Sequence, residues 1–97
     1  MKAYERLAPL GAWTQNAFAR DETRCCVDAR NPSAVQWCAI GAIRSCYDPF
    51  SMEYVEAHEK VIAHLASKGI TQPLHAWNDS PGRKQKEVVM LLKEVDV

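Results

Sequence analysis

Proline and glycine cut this chain into blocks too short for anything but single helices or strand pairs. Pro9 and Gly11 close the first block, and Asn31-Pro32 opens another that Asp48-Pro49 breaks. Gly69 ends the third, and Ser80-Pro81-Gly82 precedes the last. Proline lacks the N–H that a continuing helix needs, and glycine reaches backbone angles that end one. Apolar residues between these breaks recur mostly every three or four positions, the mark of amphipathic helices.

Lys2 to Ala8 reads as a short helix. Asn31 suits an N-cap and Pro32 the first helical position, so the spacing predicts a helix from there to about Cys46. Apolar residues surround most of its circumference, which points to burial on several sides. Gly41 stands inside it, where glycine costs about 1 kcal/mol against alanine; the expected compensation is close approach of a neighbour over Ala34, Cys38, Gly41 and Ala42. Ser51 caps a third helix that stops before Gly69. Tyr54, Val55, Val61, Ile62 and Leu65 form its apolar stripe, with His58 inside it as a hydrogen-bonded core histidine. The fourth helix is expected from Pro81, capped by Ser80, to about Val95, burying Val88, Leu91, Leu92 and Val95. Residues 13–28 stay open between helix, hairpin and loop. The hairpin would span Ala17 to Val27 and turn at Asp21-Glu22, with weak alternation of Thr23, Cys25 and Val27. The fold class is therefore mainly α: one small helical domain over residues 1–97, of three to four packed helices, with room for a short N-terminal β-hairpin.

Composition narrows the function classes. Twelve Lys and Arg balance twelve Asp and Glu in 97 residues, for a formal net charge of zero. Phosphate contacts supply most nucleic-acid affinity, so a chain without excess positive charge disfavours that partner. Zero net charge mildly favours self-association, and a homodimer is among the assemblies it allows. No apolar run suits a signal peptide or a membrane span, which points to the cytoplasm and to reduced thiols for Cys25, Cys26, Cys38 and Cys46. The spacing of these four cysteines and three histidines fits no zinc or redox motif. No metal or cofactor is expected.

Two candidate sites emerge, each beside a structural alternative. In "HAWNDSPGRK" (His75–Lys84), Ser80 and Pro81 read as a helix start, with Asp79 at the positive end of the dipole and in reach of Arg83. Trp77 would pack on the core and donate its indole N–H to a backbone carbonyl. Arg83, Lys84 and Lys86, however, stand where the dipole disfavours cations. With Trp77, Asn78 and Asp79 they outline an anion or phosphate site. The second candidate is nucleophilic: Cys38 with His75 or His58 as base and Asn78 or Asp79 as orienter. Its weakness is position, because Cys38 is expected about two turns inside an apolar helix, where a cysteine is usually inert. Trp13, Trp37 and Trp77 lack an interleaved basic stripe and read as a core cluster rather than a base-stacking platform.

The motifs "AVQWCAIGAI" (Ala34–Ile43), "AWNDSPGRKQKEVVMLL" (Ala76–Leu92) and "WTQNAFARD" (Trp13–Asp21) carry a family resemblance. Together they resemble a family of small uncharacterised bacterial and phage proteins with a W-C-x-x-G-A helix and a W-N-D plus arginine segment. The resemblance implies no activity, substrate or cofactor. It marks Trp13, Arg20, Asp21, Trp37, Cys38, Gly41, Ala42, Trp77, Asn78, Asp79 and Arg83 as the lining of any shared site. Glu22-Thr23 departs from the glycine turn that often follows the first motif. These observations together favour a non-catalytic binding or interaction module for a small anion or a protein. The alternative is an anion-binding or Cys-His hydrolase-like site at the Trp77–Lys84 corner.

Overall fold

In a computed structural model describing residues 1–97, the first helix, α1 (Ala3–Leu7), lies within a residue of its expected span. The Glu5 carboxylate accepts the Lys2 backbone N–H at 2.8 Å, which satisfies a donor the helix start leaves free. Ala3 and Leu7 are fully buried.

The open stretch resolves into a hairpin. Strand β1 (Ala19–Arg20) pairs antiparallel with β2 (Cys26–Val27). Its turn needs no glycine. One Asp21 carboxylate oxygen accepts the Thr23 N–H, the Thr23 hydroxyl and the Cys25 N–H, and Arg24 takes the left-handed conformation at φ 67°. The Thr23 hydroxyl, helped by these amides, holds the Asp21 carboxyl below the ordinary carboxylate range.

The expected helix from Asn31 to Cys46 is only half right. Gln36–Trp37 is a strand, β3, antiparallel to the other edge of β1, giving the order β2-β1-β3. Helix α2 (Ala39–Cys46) begins only after it. Asn31 is not an N-cap: its side-chain oxygen accepts the N–H and hydroxyl of Ser33 within a turn. The same local chemistry serves caps and turns alike, and here the strand wins because Arg20 C=O accepts the Val35 N–H and β1 lies in register with Gln36 and Trp37. Trp37 also exchanges backbone bonds with Ala12 and Thr14, which lock the Ala12–Thr14 segment alongside β3.

Helix α3 (Met52–Ser67) is capped by Ser51, whose hydroxyl accepts the Tyr54 N–H, and stops before Gly69 as expected. Its buried face is Ala57, Val61 and Leu65; Val55 is exposed. His58 is not a hydrogen-bonded core residue but is half-buried and stacked on Tyr54, with centroids 6.1 Å apart. A short helix, α4 (Leu74–Asn78), was not expected. The last helix, α5 (Gln85–Val95), starts four residues later than the spacing suggested. Ser80-Pro81-Gly82-Arg83 is a turn, closed by Arg83 N–H to Ser80 C=O at 3.0 Å, with Gly82 at φ 81°. Proline second and glycine third suit such a turn. Ser80 therefore caps nothing: its hydroxyl donates back to Ala76. Between α3 and α5, His64 and Lys68 flank Glu94 and hold its carboxyl below the ordinary range, His64 most strongly.

The result is five helices around a small three-stranded sheet, rather than three or four helices. The Cα radius of gyration is 12.3 Å, against roughly 12.5 Å for a compact domain of this length. Helix α2 lies at the centre, with Ala39, Ala42 and Ile43 fully buried. Leu7, Val61, Leu65, Leu74, Val88 and Leu92 close around it. No helix is long and apolar enough to cross a membrane.

Candidate functional site

Asn78 shapes the site without lining it. The residue is fully buried, where an unpaired amide would be costly. Its side-chain oxygen accepts Trp13 Nε1–H at 2.8 Å and the Ala39 backbone N–H at 3.0 Å. Its nitrogen donates to Thr14 C=O at 3.2 Å and to Asp79 Oδ1 at 2.9 Å. Two bonds accepted and two donated use the full capacity of the group. One of them caps the first residue of α2 from across the fold.

The second cap of α2 is Cys38 itself. Its Sγ accepts the Gly41 N–H at 3.3 Å. This corrects the expected position: Cys38 is the N-cap residue, not two turns inside a helix. Gly41 is required at this place. A Cβ there would overlap the carbonyl oxygen of Phe18, whose oxygen also accepts the Cys38 N–H at 3.2 Å. The close approach anticipated at Gly41 is thus made by the chain entering β1. Burial raises the Cys38 thiol above its ordinary value, the nearby Asp79 charge adds to this, and the Gly41 and Ile40 amides only partly oppose it.

Beside Cys38 opens the largest cleft of the molecule, with a volume of about 610 Å³. Asn16, Ala17, Phe18, Ile40 and Tyr54 form much of its wall, and Cys38, Arg44, His75 and Asp79 bring its chemistry. The Arg44 guanidinium lies 4.9 Å from the Phe18 ring centroid and pairs with no carboxylate. His75 is exposed and makes no side-chain hydrogen bond. Asp79 Oδ1 accepts the Asn16 N–H at 2.9 Å as well as the Asn78 amide, leaving Oδ2 without a protein partner.

The expected site residues therefore divide. Cys38, His75 and Asp79 come together on this cleft, whereas Trp77, Asn78, Arg83 and Lys84 do not line it. Arg83 stacks 3.9 Å from the Trp77 ring centroid, donates to Trp77 C=O at 2.9 Å and pairs with Glu87 at 3.3 Å. The expected Asp79–Arg83 pair is not formed. Trp77 donates its indole to no carbonyl; Trp37 does so, to Ala29 at 3.1 Å. Asp79 follows α4 rather than heading α5. Lys84 is the N-cap position of α5, its backbone N–H bonded to Glu87 at 2.8 Å and its side chain exposed. His58 faces Tyr54 outside the cleft lining. No group of three His, Cys, Asp or Glu side chains gathers as a metal-ligand set.

Sequence reasoning missed Phe18, Arg44 and Tyr54. Arg44 in the last turn of a helix reads as a complement to the dipole, and Tyr54 reads as core. Only the fold puts them on one cleft with Cys38.

A family model described as a family of unknown function (DUF6197) matches residues 1–96. No curated protein and no solved structure matches.

Proposed function

We propose, for a chain that belongs to this family of unknown function (DUF6197), that it is a non-catalytic binding module for a small organic anion with an apolar body. The ligand lies in the cleft between Phe18, Arg44 and His75. The observation that carries this reading is Arg44: a guanidinium without a carboxylate partner, laid on an aromatic ring at a cleft with apolar walls. Guanidinium forks match carboxylates bidentately. Phe18, Ile40 and Tyr54 would take the apolar body, as is usual for small-molecule sites. Exposed His75 would add a second donor at the rim. Titration with benzoate, followed by NMR, is expected to move Phe18, Ile40 and Arg44 resonances and to raise the melting temperature by mass action. Arg44→Gln is expected to weaken binding roughly tenfold. A response unchanged in Arg44→Gln overturns the reading, as does no response at millimolar benzoate.

A second reading, thiol chemistry, is favoured by one observation: Cys38, His75 and Asp79 line one cleft, with Cys38 at a helix start. It is the weaker reading for three reasons. The thiol is buried and its pKa raised, Asp79 is engaged by amides, and Cys38 accepts from Gly41 with no hydrogen bond to His75. Iodoacetamide labelling of Cys38 is expected to be slower than that of a free thiol at neutral pH and to rise only above the ordinary thiol range. Because the folded pKa is raised, this group stabilises the fold fully below the ordinary thiol value and loses that contribution as pH rises through the folded one. Labelling faster than a free thiol near neutrality would sink the non-catalytic reading in favour of this one.

A further inference from the structure

On the other side of α2 lies a smaller cavity of about 250 Å³, bordered by Arg6, Arg30, Asn31, Trp37 and Ser45. No acidic residue lines it. Arg6 enters from α1 with its guanidinium 4.7 Å from the Trp37 ring centroid. It forms no ion pair, and its Nε is buried without a hydrogen-bond partner. Such a donor is rare in a folded chain, and only one other buried side-chain atom here shares that state. The nearest carboxylates along the chain are committed elsewhere: Glu5 accepts the Lys2 N–H at 2.8 Å, and Asp28 accepts the Arg30 N–H at 2.9 Å. Arg30 spends one nitrogen on the Arg44 and Tyr47 carbonyls at the end of α2, keeping the rest of its fork. Asn31 uses its oxygen on Ser33, which leaves its NH₂ as a donor. Ser45 donates to Ala42.

The cavity therefore presents two positive charges and free donors, with no carboxylate to answer them. From this we infer that it binds a phosphate group, as the free ion or as the head of a monoester. Two guanidinium forks meet the three or four oxygens of such a group, and the Trp37 ring orders one fork before the ligand arrives. The site shares no lining residue with the benzoate cleft. A water molecule would satisfy Arg6 Nε but would leave both charges unmatched, and this alternative is what the experiment separates.

The test is an NMR and thermal-shift titration with inorganic phosphate and, separately, phenyl phosphate, each against sodium chloride of equal ionic strength. Expected is a millimolar response in the Arg6 Nε–H and Trp37 indole N–H signals, with a raised melting temperature. Arg6→Gln and Arg30→Gln are each expected to weaken it roughly tenfold or more. A response to both ligands supports the headgroup form, and one to inorganic phosphate alone supports the free-ion form. The inference is overturned by a response no larger than that of chloride, or by one that survives both substitutions. If Arg6→Gln fails to fold, Arg30→Gln carries the test alone, because Arg30 is exposed.

Discussion

At the scale of residues, the W-N-D segment works by being spent. Asn78 holds Trp13, Thr14, Ala39 and Asp79 together, and those residues come from three distant parts of the chain. Removing it strands a part-buried indole N–H, a buried helix-start N–H and a carbonyl. Each stranded group costs about 1–3 kcal/mol, so Asn78→Ala is expected to lose roughly 3 kcal/mol or more of unfolding free energy. Asn78→Asp separates the hydrogen-bond reading from a packing one. It keeps size and both accepted bonds, yet once ionised it has no donor for Thr14 or Asp79 and sets a second charge against Asp79. Its loss should therefore grow as pH rises through the carboxylate range, because the ionised form is the misfit. Urea unfolding at acidic and neutral pH measures this. A loss equal at both pH values would refute the assignment of the two donated bonds.

At the scale of elements, glycine separates two kinds of constraint. Gly41 sits in α2 with the Phe18 carbonyl where a Cβ would stand; Gly82 turns at φ 81° with open space around it. Gly41→Ala has to push β1 off the start of α2 and is expected to cost about 3 kcal/mol or more. Gly82→Ala meets only backbone strain, about 1 kcal/mol. For a domain of this size, 1 kcal/mol corresponds to roughly 4–8 °C in melting temperature, so scanning calorimetry separates the two. Equal losses would mean that the contact with Phe18 is not what requires Gly41. The same contrast explains what was legible in advance. Elements with strong periodicity and a local stop, α1, α3 and the body of α5, were readable because their determinants lie within a turn of the chain. Strand β3 was not, because Asn31 and Pro32 mimic a helix start and the partner strand lies sixteen residues upstream. Ser80-Pro81-Gly82 presents the same ambiguity between cap and turn. In the site, Cys38, His75 and Asp79 were legible by residue type. Arg44 and Phe18 were not, because nothing local distinguishes a cation facing a cleft from one facing water.

At the scale of the whole molecule, charge balance and exposed apolar side chains bear on self-association. Formal charge is balanced, with an isoelectric point near 6.8, so mutual repulsion is weakest close to neutrality. Phe50 is 98% exposed, and Met52 and the partly exposed Val55 follow it at the start of α3. Exposed apolar side chains this close in sequence favour association when charge does not oppose it. Self-association by sedimentation is expected to be strongest near pH 6.8 and to weaken as the pH is moved well above it and the molecule gains net negative charge. Phe50→Ser should weaken association at every pH and leave the melting temperature within about 2 °C, since the Phe50 side chain is exposed and the Ser51 cap beside it is kept. A chain that sediments as a monomer at high micromolar concentration near its isoelectric point would rule out this account. Association that ignores both pH and Phe50 would move the contact to another face, of which the Leu10 side, fully exposed at its turn, is the next apolar candidate.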